Sequence, residues 1–122
     1  MLKIILNGTP PSKKNSKIII CRSSRPLLLP SKSYTAWHDE QMWLLKKYKQ
    51  KFQFARLVIT FFSGDKRLYD LTNKAESIMD LLVDAGILLD DNYSVVPDLH
   101  LVYGGIAPKN PHVIIEIYEK EA

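Results

Sequence analysis

The sequence predicts an α+β domain in which two main helices pack against a mixed β-sheet. Two observations carry that expectation. Apolar segments suited to strands lie near both ends of the chain and in its middle, and two segments suited to helices separate them. No internal repeat, low-complexity tract or long linker interrupts the pattern, so the 122 residues read as one domain spanning 1–122, large enough for a single core. Hydrophobic residues at 46% and charged residues at 25% exclude a disordered chain.

LKIIL (Leu2 to Leu6) predicts a strand ended by Asn7-Gly8 and Pro10-Pro11. Ile18 to Cys21 predicts a short second strand, and Leu27 to Leu29 its hairpin partner. Ser33 is placed to cap a helix running to about Tyr48, with Ala36, Trp37, Met42, Trp43, Leu44 and Leu45 as a broad apolar face. Asp39 and Glu40 fall early in that helix, and Lys46, Lys47 and Lys49 in its last turn, as the helix dipole favours. Phe54 to Phe62 is the clearest strand of the chain. Ser63 to Arg67 reads as a charged turn, after which the period changes from two to 3.6. Leu71, Ala75, Ile78, Met79 and Leu82 then form one helical stripe, with Gly86 as its C-terminal cap. Ser94 to Tyr103 and His112 to Tyr118 predict two closing strands, separated by a turn at Gly104-Gly105 and a proline-bearing loop.

The first residues read as a strand and turn rather than a signal peptide, and no apolar run approaches the ~20 residues of a membrane span. A single cysteine, Cys21, excludes an intramolecular disulfide framework and fits a cytoplasmic setting. His38, His100 and His112 lack zinc-ligand spacing, and no Gly-rich phosphate loop or Ser-His-Asp arrangement stands out.

Charge divides the chain. Residues 1–67 hold 14 basic and 3 acidic side chains, a net of +11, while residues 68–122 hold 3 and 10, a net of −7, within an overall charge of +4. Two solvated faces would account for this; so would an enzyme that attracts a polyanion with one half and holds cations with the other. The acidic side is concentrated in DLTNKAESIMDLLVDAGILLDDN, Asp70 to Asn92. On a helical wheel Glu76, Asp80 and Asp84 fall opposite the apolar stripe, in a row with Asn73, and Asp84 reads as plainly solvated. Asp70 suits a helix N-terminus on dipole grounds alone. The adjacent pair Asp90-Asp91 repels itself unless something positive binds. Should the segment after Asp91 pack beside the Asp70 helix, carboxylates from two elements converge in a manner suited to Mg²⁺.

Asp70-Leu71-x-Asn73, then Asp80, Ala85-Gly86 and Asp90-Asp91, resembles the signature of the RusA-type Holliday-junction resolvases. The likeness extends over nearly the whole chain: a proline-rich N-terminal turn followed by Asn15, the central helix and the closing strands. The resemblance implies a homodimeric, Mg²⁺-dependent endonuclease (Mn²⁺ being an alternative ion) that cleaves four-way DNA junctions in recombination and repair. It assigns Asp70 and Asp91 as metal-binding carboxylates, with Asp90 supporting. Two positions depart from the family pattern: Thr72 replaces a second aspartate, and Glu76 stands where a lysine is usual. Glu76 is therefore expected to replace the missing ligand, and Lys74 to take the phosphate-facing role. Lys13, Lys14, Lys17, Arg22, Lys66 and Arg67 are expected to contact DNA phosphates. Tyr69 has two readings, a stacking partner for an unpaired base or a half-buried strand-end residue. The alternative for the whole chain is a non-catalytic junction-binding module with a degenerate metal site.

Overall fold

The computed structural model describes residues 1–12, 17–22 and 25–121; for Lys17–Arg22 and Arg25–Pro30 the description is of backbone. The elements in order are β1 (Leu2–Asn7), β2 (Lys17–Arg22), β3 (Arg25–Pro30), α1 (Lys32–Leu45), β4 (Ala55–Ser63), α2 (Leu71–Asp84), β5 (Asp98–Ile106) and β6 (His112–Glu119). β2 and β3 form an antiparallel hairpin with Ile18 opposite Leu29. The other four strands form one mixed sheet in the order β1-β6-β4-β5, antiparallel except for the parallel β4–β5 pair. The α+β class, the mixed sheet and the two packed helices agree with the sequence reading. Among the described residues no helix is long and apolar enough to cross a membrane.

β4 is central because it is apolar on both sides and strictly alternating. Ala55, Leu57, Ile59 and Phe61 are fully buried toward the helices, while Arg56, Val58, Thr60 and Phe62 lie half-buried on the other face. Val113, Ile115 and Ile117 of β6 and Ile4 and Leu6 of β1 continue the same core layer. α2 covers it with Ala75, Ile78, Met79, Leu81 and Leu82. Full burial of each large aliphatic side chain is worth about 1.5–3 kcal/mol over exposure, which is why tertiary packing fixes this helix. The buried stripe is wider than the periodicity indicates. It includes Ser77, whose hydroxyl donates to the Pro11 carbonyl at 2.5 Å and pins the N-terminal loop onto α2.

Several local expectations are corrected. Ser31, not Ser33, caps α1: its hydroxyl accepts from the Tyr34 amide at 3.3 Å. α1 ends at Leu45, so Lys46, Lys47 and Lys49 lie at and beyond its C-terminus, and Asp39 and Glu40 sit in its middle. Its buried residues are Tyr34, Gln41 and Leu45, whereas Trp43 and Leu44 face solvent at 69% and 50% exposure. Residues 93–95 form a turn, and β5 begins only at Asp98. Gly104-Gly105 lies inside β5 as a register shift against Phe61-Phe62 rather than ending the strand. A Cβ on Gly104 would sit 2.5 Å from the Phe62 ring, itself stacked on His112 at 4.5 Å, so the sheet needs glycine there.

α2 is the crossover between the parallel neighbours β4 and β5. The acidic segment of the sequence is thereby the crossover itself, entered at Asp70 and left through Asp90-Asp91.

Candidate metal and phosphate site

At the start of α2, Asp70 has an extended backbone and its carboxylate makes no capping bond to the helix. Its Oδ2 instead accepts from the side-chain amide of Asn73 at 3.2 Å, one turn later, which leaves a negative group beside the positive helix end. Lys74 lies half-buried in the same turn, with Nζ 5.2 Å from the centre of the Tyr69 ring. Burial holds its ammonium below the usual lysine range. These groups line a cleft of about 340 Å³ made by Ser12, Leu68, Tyr69, Asp70, Asn73 and Lys74. A neighbouring cleft of about 460 Å³ shares Leu68, Tyr69 and Lys74 and extends to Thr9, Ser63 and Pro111. Two features mark the first cleft. Among the described residues the buried Ser12 hydroxyl has no hydrogen-bond partner, and the Leu68 side chain is fully exposed. Tyr69 takes the half-buried place: it packs edge-on against Phe61 at 6.5 Å, and burial raises its hydroxyl above the usual range.

The other end of the crossover is built differently. Gly86, at φ +76, ends α2, and its amide bonds back to the Val83 carbonyl at 3.0 Å. Ile87 and Leu88 are then buried, held to Phe52 by backbone bonds of 2.8 Å (Phe52 amide to Ile87 carbonyl) and 3.1 Å (Leu89 amide to Phe52 carbonyl). That clamp turns Leu89, Asp90 and Asp91 outward. The Asp91 amide donates to Asp90 Oδ1 at 2.7 Å, and Asn92 receives the Ser94 amide at 2.9 Å, which shapes the loop. The Asp91 carboxyl is raised above the ordinary value of 3.8, first by burial, then by a hydrogen bond with Asp90, and by the charges of Asp80 and Asp90. Carboxylates from the helix and from the loop after it thus act on one another.

The expected residues fall into separate groups. Asp80, a position of the resemblance signature with no ligand role assigned to it, acts by charge on Asp91; Asp70 is not among the groups acting on Asp91. Ten residues of helix, about 15 Å of rise, separate Asp70 from Asp80. Glu76 and Thr72 are exposed on α2. Asp84, read as merely solvated, receives a 2.7 Å contact from His38 Nε2 and ties α2 to α1. Arg67 is occupied by Asp65, at 2.8 and 3.0 Å from its guanidinium, which raises the Arg67 pKa and lowers that of Asp65. Lys66 is exposed beside it. Lys13 and Lys14 lie outside the described residues, as do the side chains of Lys17 and Arg22.

The donor set suits a hard cation that takes only part of its shell from protein. Among the described residues no three Asp, Glu, His or Cys side chains are gathered to enclose a metal ion. Mg²⁺ does not require such a cage, since it is commonly held by one or two carboxylates with water and substrate phosphate completing an octahedron. A crowded, partly desolvated carboxyl such as that of Asp91 is a group that a cation relieves.

Ser12 and Ser77 are the residues that sequence reasoning missed. Asp80 stood in the signature and in the wheel's polar row without an assigned role, because which loop returns to it depends on the Phe52–Leu88 bridge, and no local pattern signals that. Compared with known proteins, the chain matches no family model and no curated sequence at significant similarity.

Proposed function

We propose that the chain is a Mg²⁺-dependent endonuclease of the RusA type that hydrolyses phosphodiesters in branched DNA, four-way junctions above all, during recombination and repair. The observation that supports this reading most is that Asp80, from the helix, acts by charge on Asp91 in the loop after it, where burial and the neighbouring acids raise the Asp91 carboxyl above its ordinary value. In this reading Asp91 and Asp90 offer oxygens to Mg²⁺, and Asp80 adds negative potential. Asp70, oriented by Asn73, faces the phosphate cleft and adds a further carboxylate from the other end of α2. Bound Mg²⁺ supplies Lewis-acid polarisation of the phosphodiester and acidification of a water molecule.

Lys74 is the proton-handling group. An ammonium whose proton is loosened by burial protonates a leaving alkoxide more readily than an ordinary lysine, and it regains charge stabilisation as phosphate approaches. Lys66 extends the positive approach to the cleft. Glu76, exposed on α2, contributes in this reading only as part of the helix surface. Symmetric cutting of a junction needs two such sites, which a homodimer in the cytoplasm provides.

The deciding experiment is cleavage of a labelled four-way junction with and without Mg²⁺, beside a binding assay in EDTA. Metal-dependent cutting that D91N abolishes is the expected result. Binding without cutting by the wild type replaces the nuclease with the non-catalytic junction module, and Thr72 is the position that would explain it.

A further inference from the structure

We infer that the last turn of α1 and the segment after it, residues 43–51, are a second nucleic-acid contact, seating the phosphate backbone of a DNA arm that leaves the site past the C-terminal end of α2. This rests on the nucleic-acid reading above. Lys46, Lys47, Lys49 and Lys51 are all exposed, and among the described residues none takes part in an ion pair. Two of them lie over rings: Lys46 Nζ is 4.8 Å from the centre of the Trp43 ring, and Lys47 Nζ is 5.2 Å from that of Tyr48. Trp43 is 69% exposed, a large aromatic surface that stands outside the core. Lysines alternating with exposed or half-exposed rings are what a nucleic-acid strand uses, phosphates on the cations and a sugar or base on the ring.

Position strengthens the case. The tract borders a cleft of about 320 Å³ whose far wall is Ala85 and Gly86, the cap and turn that follow α2. One residue beyond Lys51, Phe52 is paired through Leu88 to the strand of chain that delivers Asp90 and Asp91. The carboxylates at that end of the crossover therefore have a lysine tract on one side. Lys66 stands before the Asp70 end, so a polyanion crossing the acidic ridge meets cations at both ends. An acidic ridge with no flanking cations would repel DNA; this arrangement lets backbone contacts offset the repulsion.

The test measures binding of the full chain to a four-way DNA junction in EDTA across a salt series, for the wild type and three variants. In K47Q/K49Q/K51Q the slope of log affinity against log salt is expected to shrink by about 2–3, with binding weakened about 10- to 100-fold. W43A is expected to weaken binding about 5- to 100-fold with little change in slope. The matched control K3Q/K109Q/K120Q removes the same charge from exposed lysines elsewhere and is expected to change both readouts far less. Melting temperatures are expected to match the wild type, and K49Q alone, with a slope change near one, stands in if the triple variant melts early. Equal losses in the two triple variants, or no loss in either, overturn the inference while leaving the nuclease reading intact. A wild type that binds no DNA overturns both. Capture of the wild type by phosphatidylserine vesicles, lost in K47Q/K49Q/K51Q while its DNA binding is unchanged, assigns the tract to a membrane surface and also overturns it.

Discussion

At the start of α2 the Asp70 carboxylate is exposed and steadied by the neutral amide of Asn73, whereas beyond its other end the Asp91 carboxyl is crowded by two further acids and partly desolvated. The same residue type, at two ends of one crossover, takes a neutral donor in one place and faces two like charges in the other. The difference teaches where binding energy is stored. A cation at Asp91 removes repulsion that the fold already bears, while one at Asp70 joins a carboxylate that Asn73 already partly satisfies.

The largest test of that contrast is D91N, expected to lower metal-dependent junction cleavage by about 10²–10⁴-fold, read in single-turnover assays. D70N is expected to reduce cleavage within the same range. Thermal melting adds a second test of Asp91. Because folding raises the Asp91 carboxyl above 3.8, the fold favours its protonated form. Its contribution to stability is therefore full below that value and is lost as pH rises through the raised one. D91N should thus melt higher than wild type at pH 7, with the gap closing toward pH 3. Mg²⁺ should raise the melting temperature of the wild type and not that of D91N; equal shifts in both would move the ion away from this end. Next in size, K74Q is expected to cost about 10²-fold in cleavage with junction affinity little changed. D80N should then cost about tenfold, since Asp80 acts on its neighbour through charge. The smallest effect belongs to D84N. Loss of its contact with His38 should lower stability by less than ~1 kcal/mol in urea unfolding and leave cleavage unaltered.

The alternation of β4 and the stripe of α2 were legible because burial imposes a period that survives in one dimension. Leu57, Ile59 and Phe61, like Ala75, Ile78 and Leu82, occupy the core positions that their spacing requires. Where two local signals compete, the outcome depended on packing. Ser31 and Ser33 are both plausible caps by type, and only the docking of Tyr34 selects the first. Gly104-Gly105 carries a turn signature, but the space taken by the Phe62 ring makes it the interior of a strand. The apolar look of Trp43 and Leu44 was read as core, although α1 buries the polar Gln41 instead. In the site, the pairing of Asp90 with Asp91 was written in the sequence, whereas Asp80 joined them only through a bridge thirty-six residues long, from Phe52 to Leu88.

The pairing of β4 with both β5 and β6 has a consequence for what a bound ion can do. Leu57 lies opposite Leu99 on one side and Ile117 on the other, and the chain between each pair contains the whole crossover from Asp70 to Asp91. The acidic residues therefore take up their places only when the central strand has both of its neighbours. Ions and phosphates that engage the crossover would bind the folded sheet and not the open chain, and would stabilise it by mass action.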